Sequence, residues 1–454
     1  MSNKNGKTIR VSRRKFLKST ASLAAFTIVP SYVLGGNGQT APSDIVTVAS
    51  VGAGGQAAAD IQWCNSNGGR IVALCDVDDT RAAEMYKKFR RVNRYKDFRI
   101  MLDKEQNNID AVIIGTPDHI HAFATMEAMK RGKHVYCEKP LAHSLYEVRM
   151  ITEAAGKYKV VTQLGNQGHA NEQMRLICEW IQDGAIGDVR EVHTFVDYSN
   201  SCIGDLPKMS EKHKIPAGLD WDLWLGPAPY RQYNPMYLPE KWRSWRQFGT
   251  GSPGDWICHT VDPSFLALKL KHPTSIEAVE VGGYDPVAHK ETFPPRAKIR
   301  FEFAARENMP PVTLYWYYGG LMPERPSEME PERKWSYAGG LLIGDKGKMI
   351  HDSHGAQGLR IIPEVKMQEY DRPPKTLPRS PGHMMEWIKA CKGQGKTESN
   401  FEYGGPLTEL AMLANISTFF PKTKLEWDPV NMMFPNYPEA EKYINPPYRQ
   451  GWSL

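Results

Sequence analysis

The chain has 454 residues, of which 41% are hydrophobic and 24% charged, so it is long enough for two domains and has the composition of an ordinary globular protein. The net charge of +6 is misleading, because seven cations and no acid lie in residues 1–18 and the rest of the chain is near neutral. Nucleic-acid binding needs a basic face that releases counterions, and the overall charge offers no support for it.

The basic N-terminus has the form of a twin-arginine export signal. Residues 12–18 contain the paired arginines, and a largely apolar, uncharged stretch follows at 21–34. This stretch is too short to span a bilayer and suits the hydrophobic region of a signal. We predict a signal peptide at 1–40, a periplasmic or secreted mature protein without a stable membrane anchor, and as the alternative a basic, disordered N-terminus.

Residues 44–164 alternate between short apolar strands and helical segments. The predicted strands are 45–51, 71–75, 111–115 and 134–137. The predicted helices are 57–64, 79–90, 122–131 and a segment capped by Ser144 and Glu147 that Gly156 ends. This alternation indicates an α/β domain with a doubly wound parallel sheet.

A glycine-rich turn joins the first strand to the first helix. Residues 52–57 have the pattern G-x-G-x-x-A, in which glycines permit a tight turn and a close approach to a pyrophosphate at the helix N-terminus. Asp76 ends the second strand, where a carboxylate can bind ribose hydroxyls and repel a 2′-phosphate. We predict NAD as cofactor and disfavour NADP; for Asp76 the alternative is a helix cap. The expected cofactor contacts here are Gly52, Gly54, Gly55, Gln56 and Asp76.

A second cofactor-lining segment follows the strand at 111–115. Its polar residues are Thr116, Pro117, His119 and His121. In a parallel sheet ligands bind at the carboxyl ends of the strands, so we expect this loop to line the cofactor. The two histidines are equally open to interpretation as packing residues at a helix start.

Two further features predict proton-transfer chemistry. Glu138-Lys139-Pro140 follows the strand at 134–137, and Asp255 precedes His259 by four residues. A lysine at a strand end can hold a hydroxyl or carbonyl oxygen, and an aspartate and a histidine one helical turn apart can complete the site. Glu138 and Lys139 are expected at the cofactor as well. An isolated Asp-x-x-x-His pattern is otherwise a surface pair.

Residues 165–169 end another strand and are expected near the nicotinamide or the substrate. Gln167 is assigned to the cofactor, and Asn166 and His169 to the substrate, although such side chains equally satisfy buried backbone groups. Arg175 and Trp242 are candidate sugar contacts, since indole faces stack on sugar C–H surfaces; core packing is the alternative for tryptophan.

The sequence pattern changes at residue 165. Residues 165–425 are predicted to form an α+β domain with an open, mostly antiparallel sheet. Its strands are expected at 189–198, 276–281, 297–304 and 311–318, its helices at 383–392 and 407–418. Residues 199–250 are expected to form long ordered loops, and 426–454 a C-terminal tail. The seven cysteines are scattered without a Cys-x-x-Cys pair, so no metal site is predicted.

The combined motifs closely resemble the Gfo/Idh/MocA oxidoreductase family. The matching segments are 52–57, Asp76, 97–102, 109–121, 138–140, 255–262 and 403–413. The resemblance implies a Rossmann domain, a C-terminal α/β domain with an open sheet that often makes oligomer contacts, and sugar or polyol substrates. It also implies Lys139, Asp255 and His259 as the catalytic set, which bind substrate as well. The run at 249–254 has fewer glycines than many members carry.

The leading functional hypothesis is a dehydrogenase that uses NAD to oxidise a secondary hydroxyl of a sugar or glycoside, with ring carbon 3 as one position. Export argues for a retained cofactor, because free NAD is scarce outside the cytoplasm. A redox-neutral glycosidase with tightly bound NAD is therefore the first alternative. A non-catalytic sugar- or nucleotide-binding protein is the second. A homo-oligomer formed through the C-terminal sheet is also expected.

Overall fold

The strands of the N-terminal half form one parallel sheet. In the computed structural model, which describes residues 45–454, the strands are β1 (Val46–Val51), β2 (Gly69–Cys75), β3 (Asn93–Tyr95), β4 (Ala111–Ile114), β5 (His134–Glu138) and β6 (Thr162–Gly165). Their order is β3-β2-β1-β4-β5-β6, with every neighbouring pair parallel. The order reverses between β1 and β4, which opens a ligand crevice at their carboxyl ends. The predicted signal peptide lies outside the described residues.

Five helices connect these strands. They are α1 (Gln56–Ser66), α2 (Asp79–Lys88), α3 (Phe98–Lys104), α4 (Asp118–Lys130) and α5 (Leu145–Tyr158). The predicted doubly wound parallel domain is thereby confirmed. The capping box of Ser144 and Glu147 is present at the start of α5. That helix continues through Gly156 and ends at Lys159, which adopts the left-handed conformation (φ 53°).

Helix α4 begins at Asp118, four residues before the prediction. Pro117 stands at its N-cap and Asp118 lies in its first turn, where an acid complements the positive end of the helix dipole. His119 and His121 are therefore helical residues, and the loop after β4 is only Gly115, Thr116 and Pro117.

The second half forms an eight-stranded sheet. Its strands are β7 (Val189–Val196), β8 (Ser275–Gly282), β9 (Arg296–Phe303), β10 (Val312–Tyr318), β11 (Ala338–Gly344), β12 (Lys348–Asp352), β13 (Arg360–Ile362) and β14 (Leu425–Glu426). The order is β13-β12-β11-β7-β10-β9-β8-β14. Only β7 and β10 pair in parallel, so the predicted open, mostly antiparallel sheet is confirmed. The strands between residues 338 and 362 were not predicted.

Seven helices complete this half. They are α6 (Glu172–Gln182), α7 (Trp221–Leu225), α8 (Gly251–Thr260), α9 (Asp262–Ala267), α10 (Glu364–Glu369), α11 (His383–Cys391) and α12 (Phe401–Ser417). Helix α12 begins six residues before the prediction, because the side chain of Asn400 caps the amide of Tyr403. It packs against α5 and α8, and so fixes the helix that carries Asp255 and His259.

The boundary predicted at residue 165 is crossed by later parts of the chain. Helix α11 contributes Trp387, fully buried, to the apolar cluster of α1 and the first sheet. Trp452, in the predicted tail, packs on Phe98 and Phe123 with ring centroids 6.3 and 5.5 Å apart. Residues 46–454 accordingly form one compact unit. Within residues 45–454, no helix is long and apolar enough to cross a membrane.

Candidate active site

A cavity of about 440 Å³ lies at the carboxyl edge of the parallel sheet. Gly52, Gly54 and the start of α1 line one end, and Lys139 and His259 line the other. The crevice between β1 and β4 thus joins the predicted cofactor motif to residues from the second half of the chain. The cofactor-site predictions that reach this cavity are Gly52, Gly54, Gly55, Gln56, Asp76, Thr116, Pro117, His121, Glu138, Lys139 and Gln167.

The glycine-rich turn fits a dinucleotide. Gly52 has φ +94°, and a Cβ there would lie 2.7 Å from the carbonyl oxygen of Gly115. A Cβ on Gly54 would lie 2.8 Å from the carbonyl oxygen of Arg81. Among residues 45–454, the amides of Gly54 and Gly55 have no acceptor. Free amides at a helix N-terminus are the groups that bind phosphate oxygens.

Asp76 stands where the ribose-binding acid of such a fold belongs. Its two carboxylate oxygens accept the amides of Ala53 and Asp78 at 2.8 and 2.9 Å, and the residue lines the cavity. Burial raises its pKa, and the two amide bonds oppose that rise. The cap of α2 is Asp78, which accepts the amides of Thr80 and Arg81, so the cap interpretation of Asp76 is wrong.

Lys139 and Asp255 form a buried ion pair. The Lys139 ammonium donates to Asp255 Oδ1 at 2.6 Å and to the Asp255 carbonyl oxygen at 2.9 Å. Burial disfavours charge on Lys139, but the carboxylate outweighs it and the Lys139 pKa lies above its usual value. Burial likewise opposes charge on Asp255, and Lys139 with Arg243 outweighs it, so that pKa is lowered. Both groups are therefore charged at neutral pH.

His259 is poised as a neutral imidazole. It lies one turn after Asp255 on α8, is 6% exposed, and has no hydrogen-bond partner among residues 45–454. Burial lowers its pKa well below the usual value, and the positive charge of Lys139 adds to this, as does a proton on His354 or His383. Asp255 bonds Lys139 and Asn200 and not the imidazole. Asp255 thus holds Lys139 and not the imidazole, and it does not itself line the cavity.

Glu138 belongs to a buried carboxyl pair. Burial raises the pKa of both Glu138 and Asp60, and the charge of Glu138 raises that of Asp60 further. Gln167 donates to Glu138 Oε1 at 2.6 Å and to the Tyr136 hydroxyl at 3.0 Å. Two adjacent buried carboxyls do not both ionise cheaply, so a charge on one disfavours a charge on the other. Glu138 lines the cavity directly before Lys139.

Besides Asp255, four predicted site residues lie outside the cavity. His119 is 2% exposed and its ring nitrogens face the carbonyl oxygens of Phe248 and Trp224 at 3.1 and 2.9 Å. Asn166 and His169 both bond Asp262, at 3.2 and 3.1 Å. Polar groups of the protein itself hold these three buried side chains, so the structure does not bring them to the predicted cofactor and substrate site. The fourth is Arg175, which donates to the carbonyl of His169 and lies 3.9 Å from Glu386.

Several residues at the site were not predicted. Asn200 donates to Asp255 Oδ2 at 3.1 Å, and Arg243 lies 3.6 Å from Asp255 Oδ1. His354 stacks on His259, and Trp452 lines the far end of the cavity. Trp242 lines the cavity as predicted, with Arg243 over its ring at 4.3 Å. No local motif marks the four that were missed, because they come from irregular loops and the tail.

Within residues 45–454, no cluster of metal-ligating side chains occurs.

Sequence comparison identifies the class. Residues 46–166 match the model of an oxidoreductase family with an NAD-binding Rossmann fold, and residues 191–307 match its C-terminal α/β domain. The two matches cover just over half of the chain. The chain therefore has the NAD-binding Rossmann fold of an oxidoreductase family. It belongs to the Gfo/Idh/MocA family, as the sequence motifs predicted.

Individual relatives match over limited segments. The levoglucosan dehydrogenase of Pseudarthrobacter phenanthrenivorans is 30% identical over 116 residues, 26% of this chain and 29% of the relative. The alpha-N-acetylgalactosaminidase of Shewanella oneidensis is 26% identical over 206 residues, 39% of this chain and 44% of the relative. The chain thus aligns with less than half the length of these relatives.

The solved structures agree on the fold. The WlbA dehydrogenase of Bordetella pertussis, in complex with NADH and UDP-GlcNAcA, superposes with a TM-score of 0.58 over 85% of this chain and 99% of that structure, at 15% identity. Similarity at this level of identity establishes the shared architecture only. It places the cavity described above in the dinucleotide crevice of the fold.

Proposed function

We propose that the protein oxidises a secondary hydroxyl of a sugar, polyol or glycoside, with NAD as the hydride acceptor. This proposal rests mainly on one cavity, which joins the free amides of the glycine-rich turn to Lys139 and His259. The turn and Asp76 would hold the dinucleotide. NAD, when bound, supplies an acceptor for the hydride that leaves the carbinol carbon.

His259 and Lys139, at the end of the cavity where the hydroxyl would react, have different roles. His259 is neutral and accepts the hydroxyl proton, since burial and nearby cations keep its pKa low. Lys139 stays protonated and donates to the same oxygen, which stabilises the negative charge that develops there. Asp255 holds Lys139 in place, and Asn200 holds Asp255.

A redox-neutral glycosidase is the second candidate. A ketone at ring carbon 3 acidifies the C2–H bond, so the C1 substituent can leave as the C2 proton is lost. Water then adds at C1, C2 regains a proton, and the hydride returns to C3. The similarity to an alpha-N-acetylgalactosaminidase extends over more of the chain than the similarity to levoglucosan dehydrogenase, which favours this candidate.

Residues from the second half of the chain line the cofactor cradle, by which we mean the part of the cavity beside the glycine-rich turn. Their presence there supports the glycosidase. Trp242, Glu240 and Trp452 line the cavity from the loops of the second half and from the tail. Arg81, beside the glycine-rich turn, lies 3.7 Å from Glu240. A cofactor bound against these residues would have to displace them on leaving, which supports its retention between turnovers, as a redox-neutral reaction requires.

Incubation of the purified protein with sugars and aryl glycosides, without added cofactor, separates the two. A keto sugar that forms only when an electron acceptor is present indicates the dehydrogenase. Released aglycone with stoichiometric intact sugar indicates the glycosidase. Neither product across levoglucosan, inositol and N-acetylgalactosaminide panels would argue against both. A Lys139→Ala control must abolish either product.

We propose in addition that the chain is exported through its twin-arginine signal and assembles through the eight-stranded sheet. Cell fractionation with N-terminal mass determination tests the first statement, and a cytoplasmic, uncleaved chain would contradict it. Light scattering tests the second. A monomer at micromolar concentration would contradict it.

A further inference from the structure

The imidazoles of His259 and His354 stack face to face. Their ring centroids are 4.2 Å apart and their planes meet at 19°. His259 is buried on α8, whereas His354 is exposed in the loop after β12 and lines the same cavity. The ring of His354 thus covers one face of the buried imidazole at the wall of the cavity.

The loop that carries His354 is held in an unusual conformation. His354 has φ +54°, a region that residues with a Cβ seldom adopt. Asn171 donates to its carbonyl oxygen at 2.8 Å. A Cβ on Gly168 would lie 2.3 Å from the His354 carbonyl carbon, so only glycine permits this approach. The Gly168 turn also carries Gln167 into the cavity, which ties the position of His354 to the site.

Titratable and charged groups on several elements face the two imidazoles. Lys139, His354 and His383 face His259 and disfavour its protonation. Lys139 faces His354 with a positive charge and Asp255 with a negative one. Two imidazolium rings in face-to-face contact repel each other, so the pair accepts a single proton before the second is strongly opposed.

We propose that His354 is a positioning residue for His259: its ring fixes the plane of the proton-accepting imidazole by stacking on it, and a proton on His354 disfavours a proton on His259. The proposal rests on the proposed function of His259 as the base. It assigns the loop after β12, a segment far from every sequence motif, to the reaction site.

Three variants separate the stacking from the charge. His354→Phe keeps an aromatic face without a titratable nitrogen. His354→Asn removes the ring and tolerates the left-handed backbone. Gly168→Ala leaves the imidazole and displaces the loop. His213→Asn, in an exposed loop outside the cavity, is the matched control.

The first readout needs no substrate. Peptide-resolved reaction of His259 with diethyl pyrocarbonate is followed against pH, because the reagent attacks only the neutral imidazole. In His354→Phe we expect the half-reaction pH of His259 to rise by roughly half a unit, since a neighbouring cation is lost. In the control we expect the wild-type curve.

The second readout is turnover. In His354→Asn and Gly168→Ala we expect kcat to fall about tenfold through loss of alignment, with the Kd of NAD within about twofold of wild type. Wild-type pH curves and kcat in all three variants would overturn the proposal. If the wild-type enzyme turns over no sugar, the proposed function fails, and the modification curves still decide whether His354 controls His259.

Discussion

The Lys139 ammonium lies 2.6 Å from Asp255 Oδ1 although 116 residues separate the two in the chain. Residues so far apart in the chain come into contact only because the end of β5, in the parallel sheet, and α8, in the second half, meet at one cavity. The contact decides the chemistry at neutral pH, because it keeps Lys139 charged and leaves the base role to His259. It also makes the two residues testable as a pair.

Asp255→Asn should move the alkaline limb of the pH–rate profile. Burial alone lowers the pKa of Lys139, and the Asp255 carboxylate is what raises it. Without that charge Lys139 loses its proton at lower pH, so kcat/KM should decline at lower pH than in wild type. The measurement is kcat/KM from pH 6 to 10. Asp103→Asn, on an exposed carboxylate of α3, serves as control, and an unshifted alkaline limb would contradict the assigned pairing.

Lys139→Ala should remove most activity and leave cofactor binding intact. Loss of a donor to the reacting oxygen costs about 10²–10³ in kcat. The Kd of NAD should change little, because the phosphates are expected at the glycine-rich turn. Calorimetry with NAD and steady-state kinetics provide the two readouts. An equal loss in Lys130→Ala, an exposed lysine of α4, would show that the effect is unspecific.

Asp76→Asn should weaken NAD and relax the discrimination against NADP. One carboxylate charge near the ribose disappears, while the amide oxygen can still accept one of the two amide bonds. We expect the Kd of NAD to rise about tenfold and the ratio of NADP to NAD affinity to rise as well, at about 1.4 kcal/mol for each tenfold change. Titration of both nucleotides measures it. A ratio equal to wild type would mean that Asp76 does not face the 2′ position.

Trp452→Ala should accelerate the release of NAD. The indole lines the cavity and packs on Phe98, with Arg99 over its ring at 4.6 Å. Its loss opens the cradle, and we expect the dissociation rate to rise about tenfold, since affinity changes appear mainly in k-off. Stopped-flow displacement by excess nucleotide measures the rate. Tyr230→Ala, at an exposed ring (73%), is the control that should leave the rate unchanged.

Buried neutral histidines should make the fold sensitive to acid. Burial lowers the pKa of His119 to about 3 and that of His121 to about 4. The unfolded chain binds these protons near pH 6.5, so stability present at pH 7 is lost progressively below that value, at about 1.4 kcal/mol per pH unit for each group. In His119→Gln the fall of Tm between pH 7 and 5 should be shallower. His213→Gln should keep the wild-type slope.

Local patterns predicted those features that depend on neighbouring residues. The glycine-rich turn, the capping box of Ser144 and Glu147, and the alternation of strands and helices are all encoded within a few residues. The position of the second-half strands before residue 320 followed from alternation of apolar side chains. The segment 338–362 was missed because its glycine-rich strand β11 has no clear alternation.

Site residues that belong to a recognisable motif were predicted from the sequence. Site residues that only tertiary packing brings to the cavity were missed. Asn166 and His169 have the polarity of ligand-binding residues, but Asp262 lies beside them in the core and satisfies both. His354 has no motif, yet Gly168 allows its loop to reach the cavity. Polarity in a sequence does not reveal whether the partner is a ligand or another side chain.

The dinucleotide turn, the parallel sheet around it and the residue types needed for proton transfer could be predicted from the chain alone, because each depends on short-range pattern and spacing. The pairing of Asp255 with Lys139 instead of His259, the stacking of His354 on His259 and the return of Trp452 to the cofactor cradle became evident only in the fold. These contacts join residues far apart in the chain. Their geometry follows from how α8, the loop after β12 and the tail pack against the first sheet.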